Sequence, residues 1–272
     1  MRKTILIGVP VALLLGGAFL LLRPQHAAEL APQTVRLEPR DFDFRPAGDY
    51  WLEKQAVDAP SRREHLAPRF EVMKFQVSQG EYARCVAEGD CLPLGNSAPR
   101  DDLPLTGASL LDAQLYADWL SRRTGQQWRL PTDREWAFFA GSRWADDALR
   151  IDDDDDDGSN PARRWLARYR LEAQTRTSAS ALPQVRGNHG LNEYGVADLG
   201  GNVWEWTQSC HQRVNLDARG AQTERAEYCS IRIAEGRHRA AINDFVRDAR
   251  GGGCSAGQPP DNLGFRLVRD IP

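Results

Sequence analysis

The longest apolar stretch of the chain comes first: Arg2 and Lys3 precede an uncharged run from Thr4 to Leu22, long enough to cross a bilayer as a helix. A cleaved signal peptide has a shorter apolar core and a small-x-small cleavage site, and Gln25-His26-Ala27-Ala28 is a poor one. Residues 1–22 are therefore read as an uncleaved membrane anchor rather than a signal segment. Its leading positive charges place the remainder outside the cytoplasm, with Arg23 working against that bias. Residues 23–40 lack periodicity and carry Pro24, Pro32 and Pro39, the composition of a linker. A single domain is expected over 41–272, its fold beginning near Phe42.

Within that domain the pattern switches between the two regular periods. The stretch FEVMKFQV, residues 70–77, reads as a strand. Ser78 with Glu81 forms a capping box that opens a helix, QGEYARCVAE, ended by Gly89. Ser109 with Asp112 opens a second, LLDAQLYADWLSRRT, whose Leu111, Leu115, Ala117 and Leu120 are assigned to one face and whose stop is Gly125. Thr132 with Glu135 opens a third, DREWAFFAG. From Arg143 to Asn188 periodicity dissolves into polar sequence. The run DDDDDDGSN there places Asp153, Asp155, Asp157 and Gly158 at the start of a calcium-loop spacing, but the closing glutamate position is Arg164, so a solvated loop is the preferred reading.

Composition adds three constraints. Eight tryptophans and an ordinary apolar fraction in 272 residues permit a sizeable core. Net charge is −3, with basic residues scattered rather than striped along one face, which argues against nucleic acid as a partner. Export changes the meaning of the five cysteines, because disulfides persist in an oxidising compartment. Cys85 with Cys91 and Cys210 with Cys229 are the natural pairs by position, leaving Cys254, although spacing alone does not fix connectivity. No nucleophilic triad, phosphate loop or cofactor fingerprint is present.

Three blocks in order, TGASLLDAQLYADWLSRRTGQQWRLPTDREWAFFAGS, NEYGVADLGGNVWEWTQSC and RGG…NLGFRLVR, resemble the formylglycine-generating enzyme (sulfatase-modifying factor) family. The resemblance spans roughly Phe70 to Arg269. It implies an α+β fold, irregular and loop-rich, related to C-type lectins. It also implies a structural calcium held by Asp198, the carbonyls of Gly201 and Val203, and Glu205, a set of hard oxygen donors of the kind calcium requires. Formylglycine-forming members hold copper(I) on two cysteines near this last block, since soft thiolates select that ion. Here Gly253 replaces the serine after the paired glycines, Cys254 follows at once, and Ala256 to Pro259 occupy the region of the second cysteine. The copper site is therefore broken, and no redox ion, copper or iron, is assigned.

Exported members without the cysteine pair resemble periplasmic maturation factors, among them those for pyoverdine and those accompanying copper nitrite reductase. By that resemblance the chain is expected to assist oxidative modification of a periplasmic protein or metabolite while tethered to the inner membrane. Cys254, Asp261 as base and Arg266 as holder of an anionic group are the candidate catalytic residues, although a buried ion pair is the preferred reading of Arg266. The alternative is a catalytically inactive, lectin-like binding or regulatory module.

Overall fold

The computed structural model describes residues 31–95, 98–146, 148, 166, 170, 182–244 and 262–271. The N-terminal anchor and the aspartate run both lie outside them. Among the described residues, no helix is long and apolar enough to cross a membrane.

The three helices form where their caps indicate. Helix α1 spans Gln79–Ala87, α2 spans Leu110–Thr124 and α3 spans Asp133–Ala140. In each, the N-cap hydroxyl of Ser78, Ser109 or Thr132 accepts from the third helical N–H, while the acidic residue there reaches back to the cap's own N–H. Two otherwise unsatisfied donors are thereby paired at every helix start. Gly125 ends α2 at φ 70°, in the left-handed region that glycine enters without a Cβ penalty. The buried face of α2 differs from the expected one. Leu110, Ala113, Ala117 and Leu120 point inward with Tyr116 and Trp119, while Leu111 is 48% exposed. A 3.6-residue period starting at Leu110 carries Leu111 round to solvent.

Short strands build a four-stranded sheet in the order β1 (Thr34–Arg36), β6 (Phe70–Met73), β12 (Val268–Asp270), β7 (Trp128–Arg129), every neighbour antiparallel. Strand β1 falls inside the residues expected to be linker. Its register, Val35 opposite Val72, and the burial of Leu37 put the start of the fold before Phe42. Strand β6 ends at Met73, four residues earlier than its apolar pattern indicates. Its alternation serves two cores. Phe70 and Val72 join Trp136, Phe138 and Phe139 of α3, whereas Met73 joins Tyr116, Trp119, Trp206 and Phe265.

The second sheet runs β10 (Ala240–Asn243), β9 (Gln222–Glu235), β8 (Trp204–Leu216), β3 (Asp49–Leu52), β4 (Gln55–Val57), with β11 (Leu263–Gly264) paired parallel to the start of β8. A ribbon of β2 (Arg40–Phe44) and β5 (Arg62–Leu66) completes the elements. The long β8–β9 pair shifts register three times, the last where Thr223 stands between the partners of Asn215 and Leu216. Thr207 to Ser209 stand opposite Ile233 alone, and Cys229 to Ile231 are inserted between the partners of Cys210 and His211. The first bulge docks on the start of α3, where Ser209 Oγ accepts from Asp133 N at 2.9 Å and Gln208 N donates to Pro131 O at 2.9 Å. Disulfides join Cys210 to Cys229 across the second bulge and Cys85 to Cys91 at the end of α1.

Candidate functional site

The turn from Asp198 to Glu205 leads into β8. Asp198, Gly200 and Asn202 take φ of 59°, 66° and 63°, a region that Asp and Asn tolerate better than most side chains. Gly201 needs its missing side chain for space, because a Cβ there would lie 2.8 Å from His189 Nδ1. Asp198 is fully buried. Its carboxylate accepts Gly187 N at 2.6 Å and His189 N at 2.9 Å, tying the preceding loop to the turn. Asn192 does similar work upstream, donating to Phe139 O and Ala140 O and accepting from Tyr194 N and Val196 N.

Of the four expected calcium positions, the structure brings Gly201, Val203 and Glu205 to one point. That point is held by the amide of Gln76, a buried residue just before the α1 cap. Its Nε2 lies 3.5 Å from Gly201 O, 3.4 Å from Val203 O and 2.8 Å from Glu205 Oε1. Glu205 is itself fully engaged. Arg266 Nη2 donates to Oε1 and Nε to Oε2, each at 2.6 Å, and Trp136 Nε1 donates to Oε2 at 2.9 Å. The Asp198 carboxylate points elsewhere, to the N–H groups of Gly187 and His189, and the residue meets this cluster through its backbone, its carbonyl accepting from Gly201 N at 3.1 Å.

Arg266 forms the buried ion pair that is its preferred reading, and its candidate role as holder of an anionic group is corrected. The side chain is 0% exposed and spends its remaining donors on the carbonyls of Ala197, Met73 and Lys74. No N–H is left for a ligand, so Arg266 is the buried partner of Glu205, binding β6, β8 and the C-terminal strands into one unit. Sequence reasoning missed Gln76 and Trp136, which sit in the segment between β6 and α1 and in the amphipathic α3 with nothing local to mark them.

Cys254 and Asp261 lie outside the described residues. The chain on either side of them meets the second sheet: Asp244 N donates to Ser230 O at 2.8 Å, and Trp204 N donates to Asn262 O at 2.8 Å. A separate cavity of about 480 Å³ opens between β3, β8, β9 and the start of α3, with Tyr50, Arg62, Asp133, Ser209, Gln212 and Arg225 among its walls. Burial pushes the Tyr50 phenol above its ordinary range, opposed by Arg225, Arg62 and Arg239. Gln212 Nε2 fixes the ring by donating to its hydroxyl at 2.9 Å. Among the described residues no group of three His, Cys, Asp or Glu side chains is arranged to hold a metal.

A loop-rich α+β domain, two curled sheets around capped helices and a buried Arg–Glu pair behind a GNVWEW turn define the class of protein. The chain belongs to the sulfatase-modifying factor enzyme 1-like domain family, whose model matches residues 21–271. It is 28% identical over 178 residues to the inactive C-alpha-formylglycine-generating enzyme 2 of Mus musculus, covering 61% of this chain and 49% of the mouse protein. It is 30% identical over 110 residues to the formylglycine-generating enzyme of Mycobacterium tuberculosis, covering 40% of this chain and 34% of that protein. The chain thus spans half or less of these curated relatives. Its fold is similar to the solved structure of PvdO from Pseudomonas aeruginosa, with a TM-score of 0.57 at 20% identity, covering 90% of this chain and 97% of that one.

Proposed function

We propose that this chain is an exported maturation factor of the formylglycine-generating enzyme type that acts on a periplasmic protein or metabolite without a two-thiolate copper centre. The observation that carries the reading is the disulfide pattern. Four of the five cysteines are consumed in Cys85–Cys91 and Cys210–Cys229, which leaves Cys254 as the one thiol. Two disulfides also favour an oxidising compartment, in keeping with the anchor read from residues 1–22. Cys254 and Asp261 remain the proposed reactive positions, and Arg266 is withdrawn from that set.

A second reading, a catalytically inactive binding module, is favoured by the name of the mouse relative and by the single thiol. A host strain lacking the gene separates the two. Under the first reading it accumulates an immature exported product, corrected by the wild-type gene and not by Cys254→Ser. Correction by Cys254→Ser supports the binding module, and accumulation of no immature product removes the maturation reading. Protease protection of the chain in spheroplasts would remove the export.

A further inference from the structure

We propose that the side-chain amide of Gln76 stands where the sequence leads one to expect a calcium ion, so that the Asp198–Glu205 turn of this chain is metal-independent. The inference rests on how the oxygens around that point are already used. An ionised carboxylate offers about four lone-pair directions, and Glu205 receives four donors: Arg266 Nη2 and Nε at 2.6 Å each, Gln76 Nε2 at 2.8 Å and Trp136 Nε1 at 2.9 Å. The Gly201 and Val203 carbonyls face the same amide nitrogen at 3.5 and 3.4 Å. A calcium ion needs six to eight oxygens, and three converge here among the described residues.

Charge points the same way. Glu205 is neutralised by Arg266, and Gln76, Glu205 and Arg266 are at most 1% exposed. A dication at this point would share the Glu205 carboxylate with a guanidinium, leaving excess positive charge in a medium that solvates it poorly. The orientation of the amide follows from its neighbours. With Nε2 toward the three oxygens, each meets a donor, and Oε1 is left without a hydrogen-bond partner among the described residues. Turned over, Oε1 would face three acceptors. One unsatisfied carbonyl oxygen is the smaller cost, since a neutral acceptor loses less on burial than like-charged oxygens forced together.

Replacing this neutral donor by a carboxylate reverses the logic. Gln76→Glu puts two more oxygens and a negative charge among the Gly201, Val203 and Glu205 acceptors, a cluster that a divalent cation would relieve. The test uses the full chain, purified in mild detergent and dialysed against EGTA, with calcium chloride as the probe. Wild-type protein is expected to carry no calcium by elemental analysis and to keep the same Tm in EGTA and in calcium. Gln76→Glu is expected to melt lower in EGTA and to rise by several degrees on adding calcium. One calcium per wild-type chain, or a wild-type Tm that falls on chelation, overturns the proposal. So does a folded Gln76→Glu protein whose Tm ignores calcium. If that variant does not fold, the wild-type calcium content decides alone.

Discussion

The most consequential side chain in the described structure is Arg266, because its charge lies where water cannot reach it. Removing either partner strands the other: Arg266→Met or Glu205→Met should each destabilise the protein by about 3–5 kcal/mol in denaturant unfolding. Replacing both with methionine should cost less than the sum of the two single changes, since no unpaired charge remains. An additive result would show that the two groups do not act as a unit. Tyr116 carries a second residue-scale expectation. Burial, reinforced by Glu81 and opposed by Arg84 and Arg186, holds its phenol well above the usual value. The folded state therefore keeps this proton longer than the unfolded chain, in which the phenol titrates near pH 10. The stability linked to the neutral ring is complete below that pH and declines as pH rises above it. Phenolate absorbance from this residue should appear only on alkaline unfolding, which Tyr116→Phe would confirm by removing one late-titrating group.

At the scale of elements, the helices were legible because their signals are local. Ser78, Ser109 and Thr132 each stand three residues before an acid, and the capping geometry needs nothing from the rest of the chain. Ser109→Ala should accordingly cost about 1 kcal/mol of stability, measured by chemical denaturation, from loss of the α2 cap. Strands β8 and β9 were not legible. Their sequences, WEWTQSCHQRVNL and QTERAEYCSIRIAE, are polar and broken by three register shifts, so no period of two survives. Pairing supplies what the pattern lacks, and Cys210–Cys229 ties the two strands at the larger irregularity. Replacing both cysteines by serine should cost about 3 kcal/mol on the loop-closure argument for a loop of roughly twenty residues, read as a lowered denaturation midpoint. The same locality explains α2, where the cap fixed the helix and its stop while its buried face had to be decided by what packs on it.

Across the whole molecule, family membership and the proposed single thiol at Cys254 combine into one expectation about chemistry. The copper-loaded full chain, given a sulfatase-type cysteine peptide and oxygen, should produce no aldehyde detectable by mass, because one thiolate does not reproduce a two-thiolate copper(I) site. Aldehyde formation abolished by Cys254→Ser would show that a further ligand reaches Cys254 through folding. The sequence by itself determined the family and the three capped helices, since each is carried by blocks of residues close together in the chain, and it offered the cysteine pairs that the fold then adopts without fixing them. It also marked the GNVWEW turn, through the block that carries the family resemblance. The tertiary structure alone decided that β1 belongs to the core and that Arg266 is a buried partner rather than a ligand-holding group. It alone set Gln76 at the centre of the turn's oxygens. Gln76, Trp136, Glu205 and Arg266 come from four separate segments, and a single sequence holds no local record of which distant donors will saturate one carboxylate once water is excluded.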